Sequence, residues 1–276
     1  MRRLLIINAD DFGMDDATTD GIVEAHLSGV VSSTSVVTNC EGFEYAVKCL
    51  KECFTLKAGV HLNFYQGKPL VRPDQVPSLI NTKTGKFDSA TIQYESVDPD
   101  QLKKEFRAQI QRFIDHGLTP THIDNHRPEI YLHYNLFRVV VELAEEFQLP
   151  LRLPFDANFA GGDKTLASLA RVTWETVESI GQRLRRDVFE KQIPHPDYFF
   201  YEFTAQGRTE ESLNRILQKL PVGLSEICTH PGLKGARQLE ELSVLKSSNI
   251  ARTIRELGIQ LCSFDLLRPC MEGGTS

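Results

Sequence analysis

The sequence predicts an α/β protein: a (β/α) barrel of seven or eight mostly parallel strands, one domain over residues 1–276. Three observations lead there. Short apolar runs without strict alternation recur between longer stretches of helical periodicity, as expected of strands buried on both faces of a parallel sheet. Seven or eight such repeats in one chain favour closure over an open doubly wound sheet. No G-x-G-x-x-G follows the first run, and Gly161-Gly162 is a plain loop pair, so a Rossmann fold would lack its phosphate cradle.

In chain order, the apolar runs predict strands over residues 4–8, 33–38, 58–62, 121–124, 149–153, 198–203, 224–229 and 260–264. Helical periodicity predicts helices over 18–28, 43–53, 99–116, 135–147, 174–191, 210–219 and 239–257. Asp98-Pro99 offers a capping side chain followed by proline at the first helical position, and Gly29 and Gly117 sit where helices end. Two segments, about 63–97 and 155–172, exceed ordinary connections and are expected to be lids or binding loops.

Composition excludes several classes of function. Apolar residues at 41% and charged residues at 25% are ordinary for a folded protein. A net charge of −6 with no Lys/Arg block gives nucleic acid no electrostatic footprint. No apolar run approaches the roughly 18 residues of a membrane span. The opening Met1-Arg2-Arg3-Leu4-Leu5-Ile6-Ile7 loses its apolar character at Asn8 and has no small-residue cleavage site. The six cysteines show no C-x-x-C spacing, Cys49 and Cys53 read as packed thiols in a helix, and no Asn-x-Ser/Thr acceptor occurs. The expectation is a reduced, cytoplasmic protein, and a barrel with two long loops is compatible with a homodimer.

The chemistry lies in the polar residues at the end of each apolar run. Asp10-Asp11 come after the first, His61-Leu62-Asn63 close the third and Asp124-Asn125-His126 the fourth; Arg152 lies in the fifth, and His230 comes after Cys228-Thr229. In a parallel barrel every strand's carboxyl end opens on one face, so these distant residues converge there. Each has a bland reading taken alone: paired Asp as a helix cap, a lone His as a hydrogen-bonded core residue, Arg152 as an internal ion-pair partner. His122 and His133 are read as structural. Joint placement at strand ends favours chemistry. One Asp with two His is a common set for a catalytic metal with open positions, and Asp11, His61 and His126 are the candidates. Asp10 is then free to accept a proton.

These stretches resemble the YdjC-like carbohydrate deacetylases, the group that includes chitooligosaccharide deacetylase. The likeness is carried by Ile7-Asn8-Ala9-Asp10-Asp11-Phe12-Gly13, Gly21-Ile22-Val23-Glu24-Ala25, Val31-Ser32-Ser33-Thr34-Ser35 with Asn39, and Gly59-Val60-His61-Leu62-Asn63. It continues through Thr121-His122-Ile123-Asp124-Asn125-His126, Arg152-Leu153-Pro154 and Glu226-Ile227-Cys228-Thr229-His230-Pro231-Gly232, in the family's order. The resemblance implies a distorted (β/α) barrel and one divalent metal ion on Asp11, His61 and His126, with Mg²⁺ as readily as the Zn²⁺ that the ligand set suits. It also implies Asp10 as general base, His230 as the acid-side histidine, and an acetylated sugar as substrate, losing its N-acetyl group to water.

Arg152 is expected either to hold Asp10 ionised or to meet a phosphate on the sugar, and Asn63, Phe64 and Tyr65 to cover the sugar ring. In one departure, many members continue after the last metal histidine with a His-x-His run, whereas this chain has His126-Arg127-Pro128-Glu129-Ile130. That changes the pocket wall and bears on substrate more than on chemistry. Two rival readings are a two-metal barrel enzyme such as a sugar isomerase or phosphoesterase, and a sugar-binding or regulatory barrel without turnover. The first calls for bridging carboxylates, and Glu202 and Glu226 are the only Glu at strand ends.

Overall fold

The computed structural model describes residues 2–90, 92–155 and 173–268. The chain alternates strand and helix: β1 (Arg3–Phe12), α1 (Asp16–Leu27), β2 (Ser33–Val36), α2 (Phe43–Glu52), β3 (Lys57–Leu62), α3 (Pro99–Asp115), β4 (Ile123–Asn125) and α4 (Tyr134–Phe147). It continues with α5 (Trp174–Glu190), β5 (Tyr198–Phe200), α6 (Glu202–Gln206), α7 (Glu210–Lys219), β6 (Gly223–Thr229), α8 (Ala236–Leu245), α9 (Ser248–Glu256) and β7 (Ile259–Leu261).

Among the described residues all seven strands pair in parallel, in the order β4-β3-β2-β1-β6-β5, with β7 joining the first residues of β1. The sheet curls into a half-barrel around β1, whose central residues are buried on both faces, as the unbroken Leu-Leu-Ile-Ile run requires. An eighth strand over 149–153 does not form. Leu151 makes one isolated bridge to Ile123 and donates its N–H to the Pro194 carbonyl. Pro150 and Pro154 have no N–H to extend that pairing, so the sheet stays open between β4 and β5.

Two other expected elements are shorter than the sequence implied. The helix over 239–257 is two helices, because the Ser247 hydroxyl accepts the Asn249 N–H and starts α9 afresh. The run over 198–203 turns helical at Glu202. Asp98 caps α3 through the N–H groups of Asp100 and Gln101. Gly117 has φ +77 beyond that helix, a left-handed ending that glycine suits. Gly29 has a different reason: a Cβ there would meet the Leu245 carbonyl oxygen at 2.5 Å, so it lets α1 close against α8.

The segment over 63–97 holds two single 3-10 turns (Pro73–Gln75, Tyr94–Ser96) and the bridge Asn81–Lys86. It is pinned to α3 by polar groups. Buried Glu105 accepts the Leu70 and Val71 N–H groups, while Gln109 accepts the Asn63 N–H and returns its own N–H to the Asn63 carbonyl. The other long segment, 155–172, lies outside the described residues apart from Phe155.

Candidate active site

Asp10 and Asp11 lie inside β1, not after it. The β1–β2 register shifts between Ala9 and Phe12, and Asp11 takes φ 74, a left-handed conformation that Asp tolerates better than most residues. This bulge turns two consecutive carboxylates, which a regular strand would send to opposite faces, toward one imidazole. His61 Nε2 lies 3.4 Å from Asp11 Oδ1 and 3.8 Å from Asp10 Oδ2. His126 follows β4 and places its Nδ1 2.8 Å from Asp11 Oδ1. One ligand atom from each of Asp11, His61 and His126 lies within 4.8 Å of those of the other two.

His61 is fully buried, and its Nδ1 lies 2.7 Å from Asp124 Oδ1. Asp124 therefore accepts a hydrogen bond from Nδ1–H and leaves Nε2 as the nitrogen that can face a cation, a carboxylate–histidine arrangement that orients a ligand for a metal. That Nε2 is buried and makes no hydrogen bond of good geometry. Burial lowers the affinity of His61 for a second proton, but Asp124 and Asp10 outweigh it and push the imidazole up to about 10. A cation bound at Nε2 would displace that proton. The orphaned nitrogen, two facing carboxylates and the His126 ring fit a divalent ion.

Arg152 is the second anchor. It is 2% exposed and binds Asp10 in a fork, Nη1 to Oδ2 and Nη2 to Oδ1 at 2.7 Å each. Its remaining donors meet Asp124 at 3.0 Å and Glu226 at 2.7–2.8 Å. Three buried carboxylates engage the guanidinium, which leaves none of it for a substrate phosphate. Burial works to raise the carboxyls of Asp10 and Asp124, yet Arg152 and His61 hold both below the usual carboxylate range, Asp124 well below. Among the described residues the Glu226 side chain pairs only with Arg152, and burial pushes it up to about 7.

Asp10 also accepts from Asn8 Nδ2 at 2.8 Å and lies 3.3 Å from the Cys228 thiol. His230 follows β6 and brings a ring nitrogen within 4.8 Å of a ligand atom on each of Asp10 and Cys228. His122 is fully buried, its ring stacked on Phe264 at 3.7 Å and its Nδ1 2.9 Å from Thr121 Oγ1. His133 stacks on Tyr94.

The expected sugar-covering trio is placed otherwise. Phe64 is fully buried, with its ring centroid 5.8 Å from that of Phe106, and has no face for a sugar. Asn63 is fully buried and spends its side chain on Asn39, the Gln66 carbonyl and the Tyr65 N–H. Tyr65 is buried too, its centroid 6.3 Å from the His126 ring. Exposed Gln66 of the same loop lies beside His126, its Nε2 3.4 Å from His126 Nε2.

Three site residues had no role assigned from sequence: Asp124, Glu226 and Cys228. A signal existed. Asp124 and His126 are two apart, as are Glu226, Cys228 and His230, and extended backbone sends such positions to one face.

A family model described as YdjC-like protein matches residues 4–256. The chain belongs to that family. A carbohydrate deacetylase of Brevibacillus brevis is 33% identical over 95% of this chain and 99% of its own length. A chitooligosaccharide deacetylase of Proteus mirabilis is 31% identical over 96% and 98%. A crystal structure from Enterococcus faecalis V583, of a protein named for a suggested role in cellobiose-phosphate cleavage, superposes with a TM-score of 0.82 at 30% identity, covering 98% of this chain and all of that one.

Proposed function

We propose that this YdjC-like chain hydrolyses the N-acetyl groups of amino sugars or short chitooligosaccharides, releasing acetate. Its relatives' names support the reaction class, and one structural observation carries the site: the buried His61 Nε2, backed by Asp124, facing the Asp10-Asp11 pair. Asp11, His61 and His126 would hold one divalent ion, Mg²⁺ or Zn²⁺. Such an ion, when bound, polarises the acyl oxygen and acidifies a nearby water.

The chain's own groups supply the proton movements. Arg152 and Asn8 keep Asp10 ionised and fixed in direction. Asp10 accepts a proton from water as its oxygen attacks the acyl carbon. The thiol of Cys228 is the weakest donor on the carboxylate, so its place on Oδ2 is the one a water proton takes most readily. His230 gives a proton to the amine nitrogen as the carbon–nitrogen bond breaks, so that acetate and free amine leave. Gln66 stands where a sugar hydroxyl would approach the His126 side of the site.

The test is acetate release from a panel of mono- and di-N-acetylated sugars, with and without added Mg²⁺ or Zn²⁺. Metal-stimulated acetate release from at least one sugar is expected. Saturable sugar binding with no acetate released across the panel would overturn the reading.

A further inference from the structure

Beyond the groups given roles above, His230 is enclosed by a polar network on two helices. Its ring Nδ1 lies 3.3 Å from the hydroxyl of Thr204 on α6. The same hydroxyl lies 3.2 Å from the Cys228 carbonyl oxygen and 3.4 Å from Glu241 Oε1, on α8. A carbonyl and a carboxylate can only accept, and the hydroxyl has one proton to give. When that proton goes to either of these two, the lone pairs of Oγ1 are left for His230 and Nδ1 is the donor.

The geometry points to Thr204 and Glu241 as positioning residues for His230: together they lock the imidazole in the Nδ1–H tautomer, leaving Nε2 to exchange a proton with substrate. Glu241 secures the backbone as well as the ring, since its Oε2 accepts the His230 N–H. It is 1% exposed and pairs with Arg208 Nε at 3.3 Å. Arg208 closes the network by donating to the Thr204 carbonyl at 2.7 Å. A sugar deacetylase needs its proton donor held in direction, and a ring free to change tautomer would present the wrong nitrogen part of the time. The catalytic consequence rests on the role proposed for His230, whereas the tautomer does not.

The experiment uses the full chain and two readouts. Long-range ¹H–¹⁵N NMR at pH 8, with the His230 signal assigned from His230→Gln, should show the Nδ1–H tautomer in the parent protein. Thr204→Val, which keeps the shape and removes the hydroxyl, should show a mixture of tautomers. With an acetylated sugar that the parent deacetylates, Thr204→Val should lower kcat roughly 10- to 100-fold with KM within about twofold, and Thr204→Ser should restore it. An Nε2–H tautomer in the parent protein, or a Thr204→Val spectrum and kcat equal to the parent's, overturns the inference. Absence of acetate release from every sugar defeats the proposed function instead, and the spectrum still decides the tautomer.

Discussion

Arg152→Met exposes how the site is held together. The replacement is apolar and unbranched, so it fills much of the same space while removing the guanidinium shared by Asp10, Asp124 and Glu226. The parent guanidinium makes contacts of 2.7 Å to both Asp10 oxygens, 3.0 Å to Asp124 and 2.7–2.8 Å to Glu226, at 2% exposure. Removing one partner of a buried ion pair costs about 3–5 kcal/mol, because the other charge is left uncompensated. Here three carboxylates are left, so the upper part of that range is expected at pH 8. That is a third or more of the roughly 5–15 kcal/mol that stabilises a typical domain. Urea denaturation with a chelator present measures it. The deficit should shrink toward pH 5, where Glu226, already at about 7 in the parent, takes up a proton and removes one of the uncompensated charges. A loss below about 1 kcal/mol at pH 8 would refute the reasoning, since it would mean the carboxylates are hydrated or relieved by rearrangement.

Three other outcomes are expected. Glu226 is raised from its ordinary value to about 7, so between those limits the folded state binds a proton that the unfolded state has released, and stability falls as pH rises. Glu226→Gln removes that slope, and its stability relative to the parent should increase by about 3 kcal/mol between pH 4.5 and pH 8, measured by denaturation at several pH values. A relative stability independent of pH would contradict the burial assignment. Asp10→Asn should retain metal by elemental analysis yet lose about 10²–10⁴-fold in kcat, and near-parent turnover would remove Asp10 as the base. Gln109→Ala breaks both hydrogen bonds to Asn63 and should loosen the start of the 63–97 segment, seen as faster amide exchange at Asn63 and its neighbours together with a raised KM. Unchanged exchange there would show that other contacts hold the segment.

Much of this architecture is legible from apolar runs and caps, because a parallel strand covered on both faces leaves an unbroken hydrophobic signature. The signal fails where local chemistry interrupts a pattern. Pro150 and Pro154 deny hydrogen bonds to an apolar run that otherwise reads as strand, and Ser247 restarts a helix inside a continuous periodicity. For the site, polar residues at strand ends draw attention to Asp10, Asp11, His61, His126 and His230. Sequence does not show that a bulge with left-handed Asp11 aims both carboxylates the same way. Nor does it show that Arg152 gathers Asp10, Asp124 and Glu226, since that grouping is made by packing segments far apart in the chain. Phe64 defeats a sequence reading because sidedness in a loop obeys no period; only the fold shows its ring turned toward Phe106 and the core.

The most direct test of the proposed metal centre is a count of bound ions. After incubation with excess Zn²⁺ or Mg²⁺ and removal of free metal, elemental analysis of the parent protein should find about one ion per chain. Asp11→Ala, His61→Ala and His126→Ala should each bring it near zero while the chain remains folded. Parent-level metal in all three variants, or none in the parent, would contradict the account.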